Sequence, residues 1–393
     1  MADSIVIVGS ARTPMGKFQG ALANAAAAEL GGTAIAAAVH RAGLAGSEID
    51  ELLMGCVLPA GQGQAPARQA GFRAGLPETV PATTISKVCG SGMKTVMVAH
   101  DALAMGNGRV IVAGGMESMS NAPYLIPKMR NGARLGHASA LDHMFLDGLE
   151  DAYDPGRLMG TFAEDCATSF QFTREAQDSY ALASLARALE AQDAGGFTGE
   201  IAPVTVSGRH EQTVVSEDEQ PRLARPEKIP HLKPAFRKDG TVTPANSSSI
   251  SDGAAALVLM RESDALARGA PVRARILGHA SHAQAPGEFP TAPVPAVEKL
   301  MARLGWHVDD VDLWEVNEAF AIVPMAFMAR IGAPHDRLNV NGGACALGHP
   351  IGASGARIIV TLLAAMENRG AATGIAAICI GGGEGTAIAL ERV

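Results

Sequence analysis

The chain has 393 residues, 47% hydrophobic and 18% charged, the composition of an ordinary globular protein with room for two or more domains. Its net charge of -8 argues against a general nucleic-acid binder, so an anionic ligand would have to meet a local basic patch. Five cysteines (Cys56, Cys89, Cys166, Cys345 and Cys379) form an odd, irregularly spaced set. That argues against a disulfide framework and suits a reducing, cytoplasmic setting.

Ile5–Gly9 is an apolar run with no basic segment before it; it is too short for a signal peptide and predicts a first strand. No apolar stretch reaches membrane-spanning length without glycine or charge. Gly43–Asp50 resembles Gly305–Asp312, and the similarity continues in order. Ser91-Gly92 matches Ser354-Gly355, and each pair opens an apolar-periodic stretch, 93–104 and 356–366, that predicts a helix. Val110–Glu117 and Ala377–Glu384 then predict buried strands ending in glycine turns. The second half runs straight into a last strand, 385–390, whereas the first finds its equivalent only at 252–259. A duplicated fold with an insertion at about 121–249 explains this order; the inserted part is richer in charge, Pro and His and carries a helical run near 174–194.

Strands alternating with helices imply an α/β protein with largely parallel, helix-covered sheets, and two copies imply two layered units packed on one another. The expected division is 1–120 plus 250–270 for the first half, 121–249 for an inserted loop domain, and 271–393 for the second half. A pseudo-twofold relation would bring the glycine loops of both halves to one place.

Three of those loops carry reactive side chains. Cys89 precedes Gly90-Ser91-Gly92 and a helix start, where the helix dipole and free N–H groups would favour a thiolate. His349 lies in Gly348-His349-Pro350, a loop rather than an apolar face, and is a candidate base for Cys89 among eleven histidines. Cys379 ends a strand before three glycines. On local grounds it is either core packing or a second thiol that moves protons to and from carbon, with the glycine amides placed to hold an oxyanion. Asn317, where a strand gives way to a helix, suits helix capping best on local grounds, with orientation of a water as the other reading. A metal site is unsupported, because no close CxxC or HxxxH spacing exists. Within the inserted region Arg222, Arg225, Lys228, Lys233, Arg237 and Lys238, with His231, form a basic segment that could face a phosphorylated ligand.

Taken together the chain resembles the thiolase family over essentially its whole length. The resemblance rests on Ala11-Arg12-Thr13-Pro14, the Cys89 loop, Gly114–Ser120, Met159–Glu164, Arg174–Asp178, Asn317–Phe320, Asn341-Gly342-Gly343 with Gly348-His349-Pro350, and Cys379–Gly383. It implies a layered α-β-α-β-α fold and acyl exchange on coenzyme A, which is a substrate, with no cofactor. In that scheme Cys89 takes the acyl group as a thioester, His349 activates it, and Cys379 is acid and base at carbon. His349 and an Asn317-held water form one oxyanion hole, and the amides of Cys89 and Gly381 the other. Ser248 would contact the pantetheine arm, Phe236 and Phe320 would be apolar contacts, and Leu158, Met159 and Phe289 would shape the acyl pocket.

Leu158 departs from the histidine that short-chain biosynthetic members often carry there, and Phe289-Pro290 resembles the pair of thiolases that accept a 2-methyl branch. The resemblance favours an acetyl-CoA C-acetyltransferase acting on acetyl-CoA, coenzyme A and short 3-ketoacyl-CoA, with a broader 3-ketoacyl-CoA thiolase as the alternative. It also implies a homotetramer. A decarboxylating ketoacyl synthase is disfavoured by the second cysteine, and a non-catalytic acyl-CoA or lipid-binding module would not need Cys89, His349 and Cys379 together.

Overall fold

The computed structural model describes residues 3–208 and 211–393; Met1, Ala2, Arg209 and His210 lie outside the described residues. The main sheet is built from β1 (Ile5–Arg12), β2 (Glu51–Gly55), β3 (Ala82–Ile85), β4 (Val110–Ser118), β5 (Ser251–Arg261), β6 (Ala274–Ala283), β7 (Leu313–Val316), β8 (Thr373–Ile380) and β9 (Glu384–Arg392). Their order is β7-β8-β9-β6-β1-β5-β4-β2-β3, with the short strand Gly16–Lys17 added beside β5. The two halves meet where Ile5, Val6 and Ile7 of β1 pair with Ile276, Arg275 and Ala274 of β6.

The main helices are α1 (Ala27–Arg41), α2 (Pro66–Arg73), α3 (Ser91–Ala104), α4 (Met159–Ser169), α5 (Arg174–Asp193), α6 (Pro293–Leu304), α7 (Ile322–Ile331) and α8 (Ile351–Arg369). Successive strand residues point to opposite faces, and the core divides accordingly. On β4, Val110, Val112 and Met116 pack outward with α1 and α2, whereas Ile111 and Ala113 pack inward with α3 and α8. On β8, Ile375, Ala377 and Cys379 pack outward with α6 and α7, whereas Ala376 and Ile378 face α3 and α8. Five layers result, with α3 and α8 sandwiched between the two half-sheets. Central position explains why every residue of α8 from Ile351 to Met366 is buried.

The expectation of largely parallel sheets is corrected. Only β2–β3, β2–β4 and β7–β8 pair in parallel; the other pairs of the main sheet are antiparallel. Parallel pairing needs a long crossover, whereas the Gly381–Gly383 turn sends β9 straight back along β8, with Gly382 and Gly383 at φ of 89° and 86°. Strand β5, which follows the inserted region, likewise runs against both β1 and β4.

The helices predicted at 93–104 and 356–366 begin earlier, at Ser91 and Ile351. The glycines that suggested loop are helical because they serve the crossing of α3 and α8. A Cβ on Gly355 would come within 2.4 Å of the Met93 nitrogen, so only hydrogen fits there. Among the described residues no helix is long and apolar enough to cross a membrane.

Candidate active site

Cys89 sits on a strained turn between β3 and α3. Val88, a β-branched residue, has φ of 45°, in the left-handed region that such residues rarely enter. Local hydrogen bonds hold it there: the Ser91 hydroxyl donates to the Val88 carbonyl at 2.6 Å and accepts from the Lys87 N–H at 2.8 Å. Lys87 also pairs with Glu384, tying this turn to the start of β9. The Gly381 N–H, in the turn before Glu384, and the N–H of Cys89 itself both face the Cys89 sulfur.

The sulfur is nevertheless crowded by protein. Burial pushes its pKa up to about 11, with the two amides working against the shift and the charge of Glu117 adding to it. Desolvation thus works against the thiolate that the helix start would favour, in a residue that is half-buried overall. Cys379 lies on the outer face of β8, two residues before Gly381, and its pKa is raised well above the ordinary value by burial and then by the Cys89 charge.

The imidazole side is built from β7 and the entry to α8. Asn317 follows β7, and its N–H donates to the Ala377 carbonyl at 2.9 Å, two residues before Cys379. Its side chain is fully buried and caps no helix, since α7 starts only at Ile322; the capping role is therefore set aside. Asn317 Nδ2 lies 3.5 Å from His349 Nε2, and Asn317 Oδ1 makes no hydrogen bond within the chain. On its other side His349 Nδ1 lies 2.5 Å from Ser354 Oγ. Burial lowers the His349 pKa to about 3, helped by the positive charge of Arg357, so the ring is neutral at physiological pH. Ile351, two residues past His349, packs in the same apolar cluster that Cys89 contacts. Cys89, Gly381, Cys379, Asn317 and His349 are thus joined by one continuous set of contacts.

Several buried polar residues that support this arrangement escaped the sequence reading. Glu117 accepts from the N–H groups of Val57, Leu58 and Gly352 at 2.9, 3.1 and 2.9 Å, which pins the first turn of α8 to the first half. Asn339 accepts from the Val316 N–H at 2.8 Å and donates to the Val316 carbonyl at 2.8 Å, which holds β7 just before Asn317. Glu318 accepts from Tyr180, Ser184 and Asn339 side chains and from the Cys345 N–H, fastening α5 to the same corner. The motif Glu117 and Glu318 sit in was visible; their partners, far away in sequence, were not.

An apolar wall continues from Cys379. Met159, Phe162, Phe236, Phe289 and Phe320 share its cluster. Phe236 and Phe320 meet edge to face at 6.0 Å, as do Phe162 and Phe289 at 6.3 Å. A Cβ on Gly381 would lie 3.4 Å from the Met159 sulfur, which places that side chain over the glycine turn. Leu158 immediately precedes α4 and is half-buried. Ser248 is tied down: its N–H and hydroxyl both donate to the Ala319 carbonyl, at 3.0 and 2.9 Å. The basic segment does not act as one patch. Arg222 pairs with Asp193 and Arg237 with Asp165, whereas Arg225 and Lys228 line a cavity with Lys17, Leu223 and Cys345.

Comparison with known proteins agrees over the full chain. Residues 5–263 match the family model for "Thiolase, N-terminal domain" and residues 270–392 that for "Thiolase, C-terminal domain". A probable acetyl-CoA acetyltransferase of Dictyostelium discoideum is 48% identical over 392 residues, covering 100% of this chain and 94% of that protein. The acetyl-CoA acetyltransferase of Escherichia coli (strain K12) is 49% identical over 390 residues, 99% of each. Among solved structures, the Bacillus anthracis acetyl-CoA acetyltransferase superposes with a TM-score of 0.97 at 40% identity, covering 100% of this chain and 99% of that one. The Acat5 thiolase of Ascaris suum in complex with coenzyme A gives 0.94 at 39% identity, covering 99% and 100%.

Proposed function

The chain belongs to the thiolase family, and from that premise we propose that it is an acetyl-CoA C-acetyltransferase working by a ping-pong mechanism through an acetyl-Cys89 intermediate. The observation that carries the reading is the convergence on the Cys89 sulfur of two backbone N–H groups, its own and that of Gly381, with Cys379 two residues before that glycine and within reach of the Cys89 charge.

In the thiolytic direction His349 accepts the Cys89 proton as the sulfur attacks the ketone carbon of acetoacetyl-CoA. The carbon–carbon bond breaks and acetyl-CoA leaves as its enolate, which takes a proton from Cys379. The Cys379 thiolate regains a proton from the His349 imidazolium; coenzyme A then attacks the acetyl thioester as His349 takes its thiol proton, the bond from the acetyl carbon to the Cys89 sulfur breaks, and His349 returns that proton to Cys89. Each step develops negative charge on oxygen, which preorganised donors stabilise; removal of one such donor typically costs about 10²–10³-fold in rate. The Cys89 and Gly381 amides serve the thioester oxygen. Asn317 Oδ1, with no partner in the chain, suits the holding of a water that donates, together with the His349 ring, to the enolate oxygen. Condensation of two acetyl-CoA is the same sequence reversed.

Coenzyme A is read as lying across the inserted region, with Ser248 near the pantetheine arm and Arg225 and Lys228 toward the phosphates. The phenylalanine wall beyond Cys379 supports short acyl chains. Self-association is supported by the exposed apolar side chains of Tyr124, Ile126, Met129 and Leu135, all within one short stretch of the inserted region; a homotetramer in the cytoplasm is the assembly proposed.

The test is incubation with acetoacetyl-CoA and coenzyme A. Loss of the 3-ketoacyl thioester absorbance is expected, with almost none in Cys89→Ser. Undiminished turnover in that variant would refute the nucleophile. A kcat/KM series over chain length, including the 2-methyl C4 substrate, separates the short-chain enzyme from a broad one, and light scattering checks the tetramer.

A further inference from the structure

We propose that His100, Asp101 and His279 form a site for a transition-metal dication of the zinc type, outside the active site and independent of the acyl-transfer reading above.

His100 and Asp101 are consecutive residues near the C-terminal end of α3, and His279 lies on β6, 178 positions beyond Asp101. No sequence spacing announces the set, because only the fold brings its members together. Asp101 Oδ1 lies 3.0 Å from His100 Nδ1 and 2.8 Å from His279 Nε2, and the three atoms all fall within 4.8 Å of one another. Among the described residues this is the one group of three such donors so placed. Nitrogen and oxygen ligands at about 2.0–2.2 Å from a zinc ion stand about 2.8–3.6 Å apart, for angles between square and tetrahedral. Both contacts with Asp101 already have that separation. The two rings cross at 90° with centroids 5.1 Å apart, so they are splayed about the carboxylate rather than stacked on each other.

The chemistry of the donors agrees. Burial works to raise the Asp101 pKa, but hydrogen bonds from His100 and His279 outweigh it and bring it below the ordinary value, so the group is a carboxylate. Burial lowers the His279 pKa, with Asp101 opposing and the charges of His100 and Lys94 adding, so that ring is neutral near pH 7. A neutral imidazole with its proton on the other nitrogen offers a lone pair where it now meets Asp101. Two imidazoles select a transition metal over calcium or magnesium, which take oxygen ligands. The side chains of His100 and His279 are only 20% and 14% exposed, whereas that of Asp101 is 58% exposed. The rings are therefore held in place, and the carboxylate side is open for an ion to enter and for water to complete its coordination.

The site lies about three helical turns along α3 from Cys89. A bound ion would clamp the end of that helix to the first strand of the second half, and binding to the folded chain alone would stabilise it by mass action.

The test is calorimetric titration of full-length, EDTA-stripped protein with zinc chloride near pH 7, with thermal melting over the same zinc series. The wild type should bind one ion per chain, and its melting temperature should rise with zinc concentration. His100→Gln, Asp101→Asn and His279→Gln should each weaken binding by at least about tenfold, since loss even of residues behind the ligands typically costs about 10–100-fold in affinity. Each variant should also lose the zinc-dependent rise in melting temperature; circular dichroism and a cooperative melt in EDTA certify that it is folded. Absence of binding in the wild type overturns the site. Undiminished affinity in any folded variant also overturns it, and places the ion elsewhere, for example at the active-site thiols. Neither result bears on the acyl-transfer chemistry, which turnover of acetoacetyl-CoA reads separately.

Discussion

Gly92 and Ala356 touch backbone to backbone: a Cβ on Gly92 would come within 2.7 Å of the Ala356 nitrogen. This contact sets the depth at which α3 crosses α8, and hence the approach of the Cys89 turn to the His349 loop. Gly92→Ala should therefore cost about 1–3 kcal/mol or more, the range for overpacking a close-packed site. It should also lower activity more than stability alone explains. Urea unfolding and turnover measured on the same preparation check this; a stable, fully active Gly92→Ala would show that the crossing tolerates expansion.

Glu117 organises three N–H donors from both halves. Glu117→Gln leaves one acceptor oxygen and turns an amide donor toward those N–H groups. Each buried donor left unpaired costs about 1–3 kcal/mol, so a drop in melting temperature of several degrees is expected. An unaltered melting temperature would mean that the glutamine finds other partners.

Cys379→Ser should split the half-reactions. Acetylation of Cys89 by acetyl-CoA, read as exchange of labelled coenzyme A, should proceed at a rate near wild type. Thiolysis of acetoacetyl-CoA should fall by about 10²–10⁴-fold, the usual contribution of a proton-transfer residue. Equal loss in both would argue for a packing role instead.

His349 also makes stability depend on pH. Its folded pKa is lowered to about 3 from the ordinary 6.5. Between those values the unfolded chain binds a proton that the folded chain refuses, so this group's effect is to lower stability progressively as pH falls through that window. Above it the ring is neutral in both states and contributes nothing. His349→Gln should remove this component, narrowing the gap in unfolding midpoint between pH 7 and pH 4 relative to wild type. A gap as wide in the variant would place the acid sensitivity on other groups.

The local order along the chain was sufficient for the duplicated pattern, the reactive loops and the run of strands and helices, because hydrophobic period and glycine placement are local signals. Val110–Glu117 was recognisable as a buried strand from its composition alone, and it occupies the observed β4. What folding in three dimensions decided is of another kind. The direction of strand pairing depended on how each connection turns back. The upward push on the Cys89 pKa depended on how much protein surrounds the sulfur. The roles of Glu117 and Asn339 depended on partners brought near by packing. Periodicity is a property of neighbours in sequence; desolvation and hydrogen-bond satisfaction are properties of neighbours in space, and only the packed molecule supplies those.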